Sequence, residues 1–397
     1  MRAIRRIAGT TAVGVAVALT TACGGGSEAS DDGTITFGSI SVLSSPVVAF
    51  PQTKTGIDAA VREINAEGGV NGRKLKAVVC NDQFDPNIAV NCAQKMVQEK
   101  VVAVVGGLTA QTSEFVPILE KAKIPVMASQ GNGGELEFTS EAAYPLVSGP
   151  VGQIGGAGRY LVDNGGKNIV ILRTTMPSGD FGVEAMTKGI EAGGGTVKTL
   201  KIADDATDYA PSAASALESK PDGIGLAVQG PNVPKAVSAL RGLGYTGPIA
   251  MTLSFLNPTS IKSMGQDATG LVGVGDVLPV SNTDNPVVAK FIASLEAEDP
   301  TVVPDPASFK AYLGVKMLAG ALDGMDAVSS EKLIERLDAF DGTIDFGGVI
   351  PNWTGIPNPA TVEAYPRIAQ VTSYPVVVGD DGILATAGEP FDPFGTK

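Results

Sequence analysis

Val101-Val102-Ala103-Val104-Val105-Gly106-Gly107 carries no polar side chain and closes on two glycines. A short, fully apolar run of this kind predicts a strand buried on both faces, as in a parallel sheet covered by helices. Upstream, Pro86 to Glu99 predicts a helix, opened by Asp85-Pro86 with proline in the first turn, where its missing N–H is not needed. Before that, Lys74 to Cys80 predicts a strand, Thr55 to Ala66 a helix and Thr34 to Ile40 a strand, with a turn-rich link at Glu67 to Arg73. Downstream, a helix is predicted from about Ser113 to Ala122 and a strand at Pro125 to Ala128. The order β-α-β-α-β-α-β argues for a parallel sheet with right-handed crossovers.

A second series starts near Gly152. Helices are predicted at Gln153 to Asp163, Gly182 to Ala192, Pro211 to Glu218 and Pro234 to Leu243. Strands are predicted at Asn168 to Leu172, Thr196 to Lys201, Gly223 to Val228 and Pro248 to Met251. The two series share a form, which suits two similar lobes better than one long sheet. A chain of 397 residues is also too long for one small core. Further helices are predicted at Pro286 to Glu298, Phe309 to Met325 and Glu331 to Ala339, with strand character at Asp341 to Phe346 and Arg367 to Val378. Pro/Gly-rich Tyr144 to Pro150, Val274 to Ser281 and Phe346 to Trp353 are the candidate inter-lobe crossovers.

At the amino end, Arg2, Arg5 and Arg6 precede the uncharged apolar stretch Ile7 to Leu19. That stretch falls short of the roughly 20 apolar residues a membrane span needs, and it reads as a secretory signal, residues 1–22. Leu19-Thr20-Thr21-Ala22-Cys23 resembles a bacterial lipobox, which implies lipidation at Cys23 and anchoring to the outer face of the cell membrane. The alternative is an ordinary cleaved signal with a chance cysteine. Gly24 to Asp32 is a Gly/Ser/acidic stretch, so residues 23–33 read as a flexible lipidated tether.

The leader holds three arginines and no acid, so its removal takes the net charge from −13 to −16. An acidic chain without a basic cluster is a poor partner for nucleic acid. The chain has no histidine, which excludes Ser-His-Asp and Cys-His catalysis and the common histidine zinc sites. No metal or cofactor is expected. No Walker-type phosphate loop or Gly-x-Ser-x-Gly elbow occurs. With Cys23 assigned to lipid, Cys80 and Cys92 remain. In an oxidising compartment an even pair suggests a disulfide; two buried free thiols are the alternative.

Gly56-Ile57-Asp58-Ala59-Ala60-Val61-Arg62-Glu63-Ile64-Asn65-Ala66-Glu67-Gly68-Gly69-Val70-Asn71-Gly72 resembles the first helix and turn of the branched-chain amino-acid binding proteins. Asn81-Asp82-Gln83-Phe84-Asp85-Pro86, Ala89-Val90, Val104-Val105-Gly106, Ile124-Pro125-Val126 and Asp180-Phe181-Gly182 continue the resemblance in order, from about Thr34 to Asp381. It implies an α/β, type I periplasmic-binding fold: two doubly wound parallel-sheet lobes joined by three crossovers, closing on a ligand. The lobes are then expected at 34–147 with 279–345 and at 148–278 with 346–397.

Ligands of parallel α/β sheets sit beyond the carboxyl ends of strands, near helix N-termini. That places Thr109, Ala110 and Gln111 after the third strand and Ser129, Gln130, Gly131 and Asn132 after the fourth as ligand candidates. Gln229, Ser254 and Phe255 hold equivalent places in the second lobe, and the resemblance adds Phe50 and Phe181. The same loops also fit a plainer role as helix caps with structural glycines. The acidic partner that the resemblance implies for an ammonium is absent near Leu253-Ser254, unless Asp180 substitutes. The expected ligand is small and amino-acid-like, an amide or an organic acid, with a neutral or anionic, partly apolar solute favoured over leucine, isoleucine or valine. The expected function is solute capture for an ABC permease whose ATPase is a separate subunit, by a monomer without enzymatic activity. A lipid-anchored sensor feeding a membrane signalling partner would use the same features.

Overall fold

The structure, a computed structural model, describes residues 33–131, 134–175, 177–203, 206–228, 230–357 and 361–395, with backbone alone at 177–181. The expected leader and lipid site at Cys23 lie outside the described residues, as do Asn132 and Gln229. From Gly33 onward the chain forms one unit.

The first lobe opens with β1 (Thr34–Ser41), α1 (Gln52–Ala66), β2 (Lys74–Asn81), α2 (Pro86–Gln98) and β3 (Val104–Val105). It continues with α3 (Thr112–Lys121), β4 (Val126–Met127), α4 (Leu136–Thr139) and β5 (Ala143–Tyr144). These five strands form one sheet in the order β2-β1-β3-β4-β5, all pairs parallel. Of the predicted strand Val101 to Val105 only the last two residues join the ladder; Ala103 O still accepts from Gly38 N at 2.8 Å.

The second lobe runs α5 (Pro150–Asp163), β6 (Asn168–Thr174), α6 (Pro177–Ala192), β7 (Thr196–Ile202), α7 (Ala210–Glu218) and β8 (Gly223–Ala227). Then come α8 (Val233–Gly242), β9 (Ile249–Thr252), α9 (Pro258–Met264) and β10 (Leu271–Gly275). The chain returns to the first lobe for α10 (Pro286–Glu298), α11 (Pro306–Leu322) and α12 (Ser330–Asp338), and ends in the second with β11 (Tyr374–Val378) and β12 (Leu384–Thr386). The second sheet has the order β12-β11-β10-β9-β8-β6-β7. Its five-strand parallel part repeats the first lobe's connectivity; β11 and β12 add an antiparallel hairpin. Asp380-Asp381-Gly382 is the turn of that hairpin, with Gly379 N donating to Ile383 O at 2.8 Å.

Two large cores result. One gathers Phe37, Ile57, Met127, Phe291, Phe309 and Tyr312 beneath α1, α10 and α11; the other gathers Val170, Leu226, Val237, Met251 and Val376. Each fully buried side chain of this size contributes about 1.5–3 kcal/mol from apolar burial.

The expected lobe boundaries shift in two places. Val277 lies in the first core and β10 runs on to Gly275, so the second crossing is shorter than Val274 to Ser281. Phe346, Val349, Ile350 and Trp353 also pack in the first core, with Ile344 and Trp353 paired as a two-residue bridge. The segment 346–353 is therefore part of the first lobe, and the last crossing lies between Trp353 and Tyr374. In that crossing Arg367 Nε donates to Ala143 O at 2.7 Å, its guanidinium stacks 4.5 Å from the Tyr144 ring centre, and Ser373 Oγ donates to Gly152 O at 3.0 Å.

Gly149, at the first crossing, has φ +53° and touches Gly131 so closely that a Cβ there would stand 2.8 Å from Gly131 Cα. Gly149→Ala therefore combines a strained backbone with an overlap, and the expected loss is about 2–4 kcal/mol. Urea unfolding measures it; a variant as stable as the parent would contradict the contact.

Candidate functional site

In each sheet the chain leaves the two central strands in opposite directions: between β1 and β3 in the first lobe, and between β6 and β8 in the second. In open parallel sheets, ligands are bound outside the carboxyl ends of the strands at such a switch point. In the first lobe three loops lie side by side over this point. Val42 N donates to Leu108 O at 2.9 Å, and Gln130 N to Gly107 O at 3.1 Å. Gly107 permits the approach, since a Cβ would stand 2.2 Å from Ile40 O.

The expected ligand residues divide on this frame. Phe50 is half-buried at the mouth of α1, its N–H donating to Val42 O at 2.9 Å. Ala110 is exposed and Gln111 half-buried, flanking the start of α3. Ser129 is buried, and its hydroxyl has no hydrogen-bond partner among the described residues. Thr109 instead faces inward: its hydroxyl donates to the buried Asp82 carboxylate and accepts from Gln111 N at 3.1 Å. Gln130 also turns inward, its amide donating to Gly106 O at 3.2 Å and to Ala307 O at 2.9 Å, which ties the fourth-strand loop to α11. Gly131 N donates to Glu137 Oε2 at 2.7 Å. Three of the expected ligand groups thus shape the loops.

In the second lobe Ser254 is exposed and Phe255 half-buried after β9. Ser254 Oγ lies 3.2 Å from Thr252 Oγ1, whose hydroxyl bonds Gln153 Oε1 in the first turn of α5. Phe255 covers Gly230 at the end of β8, where a Cβ would meet its ring at 3.3 Å. Phe181 lies in α6; its side chain is outside the described residues.

Several groups escaped the sequence reading. Arg173, buried at the carboxyl end of β6, donates from Nε to Thr174 O at 2.7 Å. A charge ending the otherwise apolar Ile169-Val170-Ile171-Leu172 was its signal. Thr252 and Gln153 left none, because nearly 100 residues separate them in sequence. Among the described residues no group of three His, Cys, Asp or Glu is arranged to hold a metal, and no helix is long and apolar enough to cross a membrane.

Two lobes of matching connectivity, three crossings between them and a switch point in each sheet define a two-lobed binding-protein fold. The sequence matches the periplasmic binding protein family model over residues 34–371, and the chain belongs to that family. The family is one of binding proteins, not enzymes.

The Leu/Ile/Val/Thr-binding protein of Salmonella typhimurium is 30% identical over 39% of this chain and 44% of its own length. The chain thus spans less than half of that relative. The Leu/Ile/Val-binding protein homolog 2 of Brucella abortus is 27% identical over 71% of this chain and 77% of its own. The solved fatty acid ABC transporter substrate-binding protein of Thermomonospora curvata shares the fold, with TM-score 0.71 at 19% identity, covering 90% of this chain and 92% of that one.

Proposed function

We propose that this protein is the extracytoplasmic solute receptor of an ABC-type uptake system, tethered by lipid at Cys23 and acting as a monomer. Capture is by closure of the two lobes over the crevice. The observation that carries this reading is the matched pair of switch points on two sheets joined by three crossings. The permease and its ATPase are separate subunits. Cys23→Ala should move the protein from the membrane fraction to the soluble one; unchanged membrane attachment would remove the lipid from the account.

The ligand in this reading is an organic acid or amide with a compact apolar body and no ammonium group. Among the described residues, the polar groups near the switch points include Ser129, Gln111, Thr252 and Ser254, and Arg173 at the end of β6, whose Nε donates to Thr174 O. Among the described residues, Asp82 accepts from Thr109 and Phe84, Glu137 accepts from Gly131, and Asp276 pairs with Lys310. An ammonium buried without a carboxylate loses several kcal/mol. The two curated relatives are named for leucine, isoleucine and valine, one of them also for threonine, and favour the opposite choice, whereas the Thermomonospora protein is named for a fatty acid.

Two solutes of one shape separate the readings: L-leucine and 4-methylpentanoate, which is leucine without its amino group. Titration calorimetry should show 4-methylpentanoate binding at least about tenfold tighter, a difference of about 1.4 kcal/mol. Tighter binding of L-leucine would return the ligand to the amino acids.

A further inference from the structure

Strand β2 is the edge of the first sheet, and its last residue, Asn81, and the residue after it, Asp82, reach the two loops beside the β1/β3 switch point. Asn81 Oδ1 accepts the N–H groups of Leu43 at 2.9 Å, Ser44 at 3.3 Å and Gln83 at 3.1 Å. Its Nδ2 donates to Ser44 Oγ at 2.8 Å and Ser44 O at 3.4 Å. One side chain thus fixes the start of the loop that leads to Phe50. The next residue serves the other loop. Asp82 is fully buried; Oδ2 accepts the Thr109 hydroxyl, and Oδ1 accepts Phe84 N at 3.0 Å. Thr109 in turn orders Gln111 N at 3.1 Å.

The segment is itself held firmly. Gln83 and Phe84 take φ of +55° and +60°, a conformation that non-glycine residues keep only where the surroundings impose it. Cys80 is bonded to Cys92 of α2, and the Asp85 side chain caps α2 by accepting from Asn87 N at 2.8 Å and Ile88 N at 3.1 Å. A rigid anchor on α2 therefore presents two adjacent polar side chains to two separate loops.

We infer that Asn81 and Asp82 are the positioning residues of the ligand site. Asn81 sets the β1–α1 loop that carries Phe50, and Asp82 sets the β3–α3 loop that carries Ala110 and Gln111. The inference rests on the proposed reading that solute binds over these loops. Pre-ordered loops spare the ligand the entropy of ordering them, so the tether acts on affinity.

The test uses the full chain with Asn81→Ala, Asn81→Asp and Asp82→Asn, and 4-methylpentanoate and L-leucine as probes. Without solute, hydrogen exchange should quicken roughly tenfold at residues 43–50 in Asn81→Ala and at 109–111 in Asp82→Asn, with α1 and α3 unchanged. With the probe that binds the parent, Asn81→Ala should weaken affinity roughly tenfold, as loss of about one net hydrogen bond predicts. Asn81→Asp keeps the three acceptor bonds and should recover most of that affinity. A solely structural pair would lower the melting temperature and leave both loop exchange and affinity as in the parent, which overturns the inference. If both loops loosen but the parent binds neither probe, the tether stands and the proposed ligand class fails. If the parent binds and the variants bind as well, the ligand class stands and the tether falls.

Discussion

Lys310→Met should destabilise the protein by about 3–5 kcal/mol, the usual cost of leaving one buried charge without its partner. Lys310, in the first turn of α11, lies 3.4 Å from Asp276, and their side chains are 8% and 1% exposed. Asp276 follows the last residue of β10, where the second crossing begins, so the pair joins the first lobe to the hinge. Burial, and then the charge of Asp276, push the Tyr374 hydroxyl well above its usual pKa. With lysine removed, Asp276 keeps its desolvation cost and loses its counter-charge. The double variant Lys310→Met/Asp276→Leu removes both and should regain most of the loss, since an apolar pair often replaces a buried ion pair at little cost. Urea unfolding of the four proteins forms the cycle. Equal losses that simply add would show that the two charges do not interact.

Glu63→Gln should cost about 3 kcal/mol at neutral pH and remove a stretch of acid sensitivity. Glu63 sits on the buried side of α1, facing α10 and α11. Burial pushes its carboxyl up, but hydrogen bonds from Lys290, Lys316, Ser294 and Tyr312 outweigh it and bring the pKa down from 4.5 to about 2. The contacts are 2.8 Å to Lys290, 2.5 Å to Lys316, 2.5 Å to Ser294 Oγ and 2.8 Å to the Tyr312 hydroxyl. A folded pKa below the unfolded one gives stability that is complete above about pH 4.5 and is lost as pH falls towards 2. The shift corresponds to about 3 kcal/mol at 1.36 kcal/mol per pKa step. Urea unfolding from pH 7 down to the acid limit should therefore show the parent losing this increment while Glu63→Gln stays flat over the same window. Parallel curves would contradict the network.

Four of the first lobe's strands were legible, β1 and β2 from partly alternating stretches and β3 and β4 from apolar runs bounded by turn residues, and α2 starts at the signal Asp85-Pro86; the two-residue β5 (Ala143–Tyr144) lay at the start of the expected crossing Tyr144 to Pro150 and was missed. Where glycine dilutes the run, reading failed. Leu271-Val272-Gly273-Val274-Gly275 is a fully buried strand, yet its two glycines made its end look like a crossing. Phe346 to Trp353 carries the Pro/Gly signature of a crossing but buries Phe346, Val349, Ile350 and Trp353 in the first core. Local composition cannot show which core a loop's apolar residues will enter. The site was legible as loops and residue types, but not as directions. Thr109 and Gln130 have ligand-like chemistry and spend it on Asp82, Gly106 and Ala307. Asn81 and Asp82 were visible only as part of a family-like motif, because their bonds reach 38 and 27 residues along the chain.

Capture by lobe closure is tested most directly by small-angle X-ray scattering of the protein with and without saturating 4-methylpentanoate. The account predicts a smaller radius of gyration with the solute present, and the same contraction with any other solute that raises the melting temperature. A solute that stabilises the protein while leaving the scattering curve unchanged would contradict closure over the crevice.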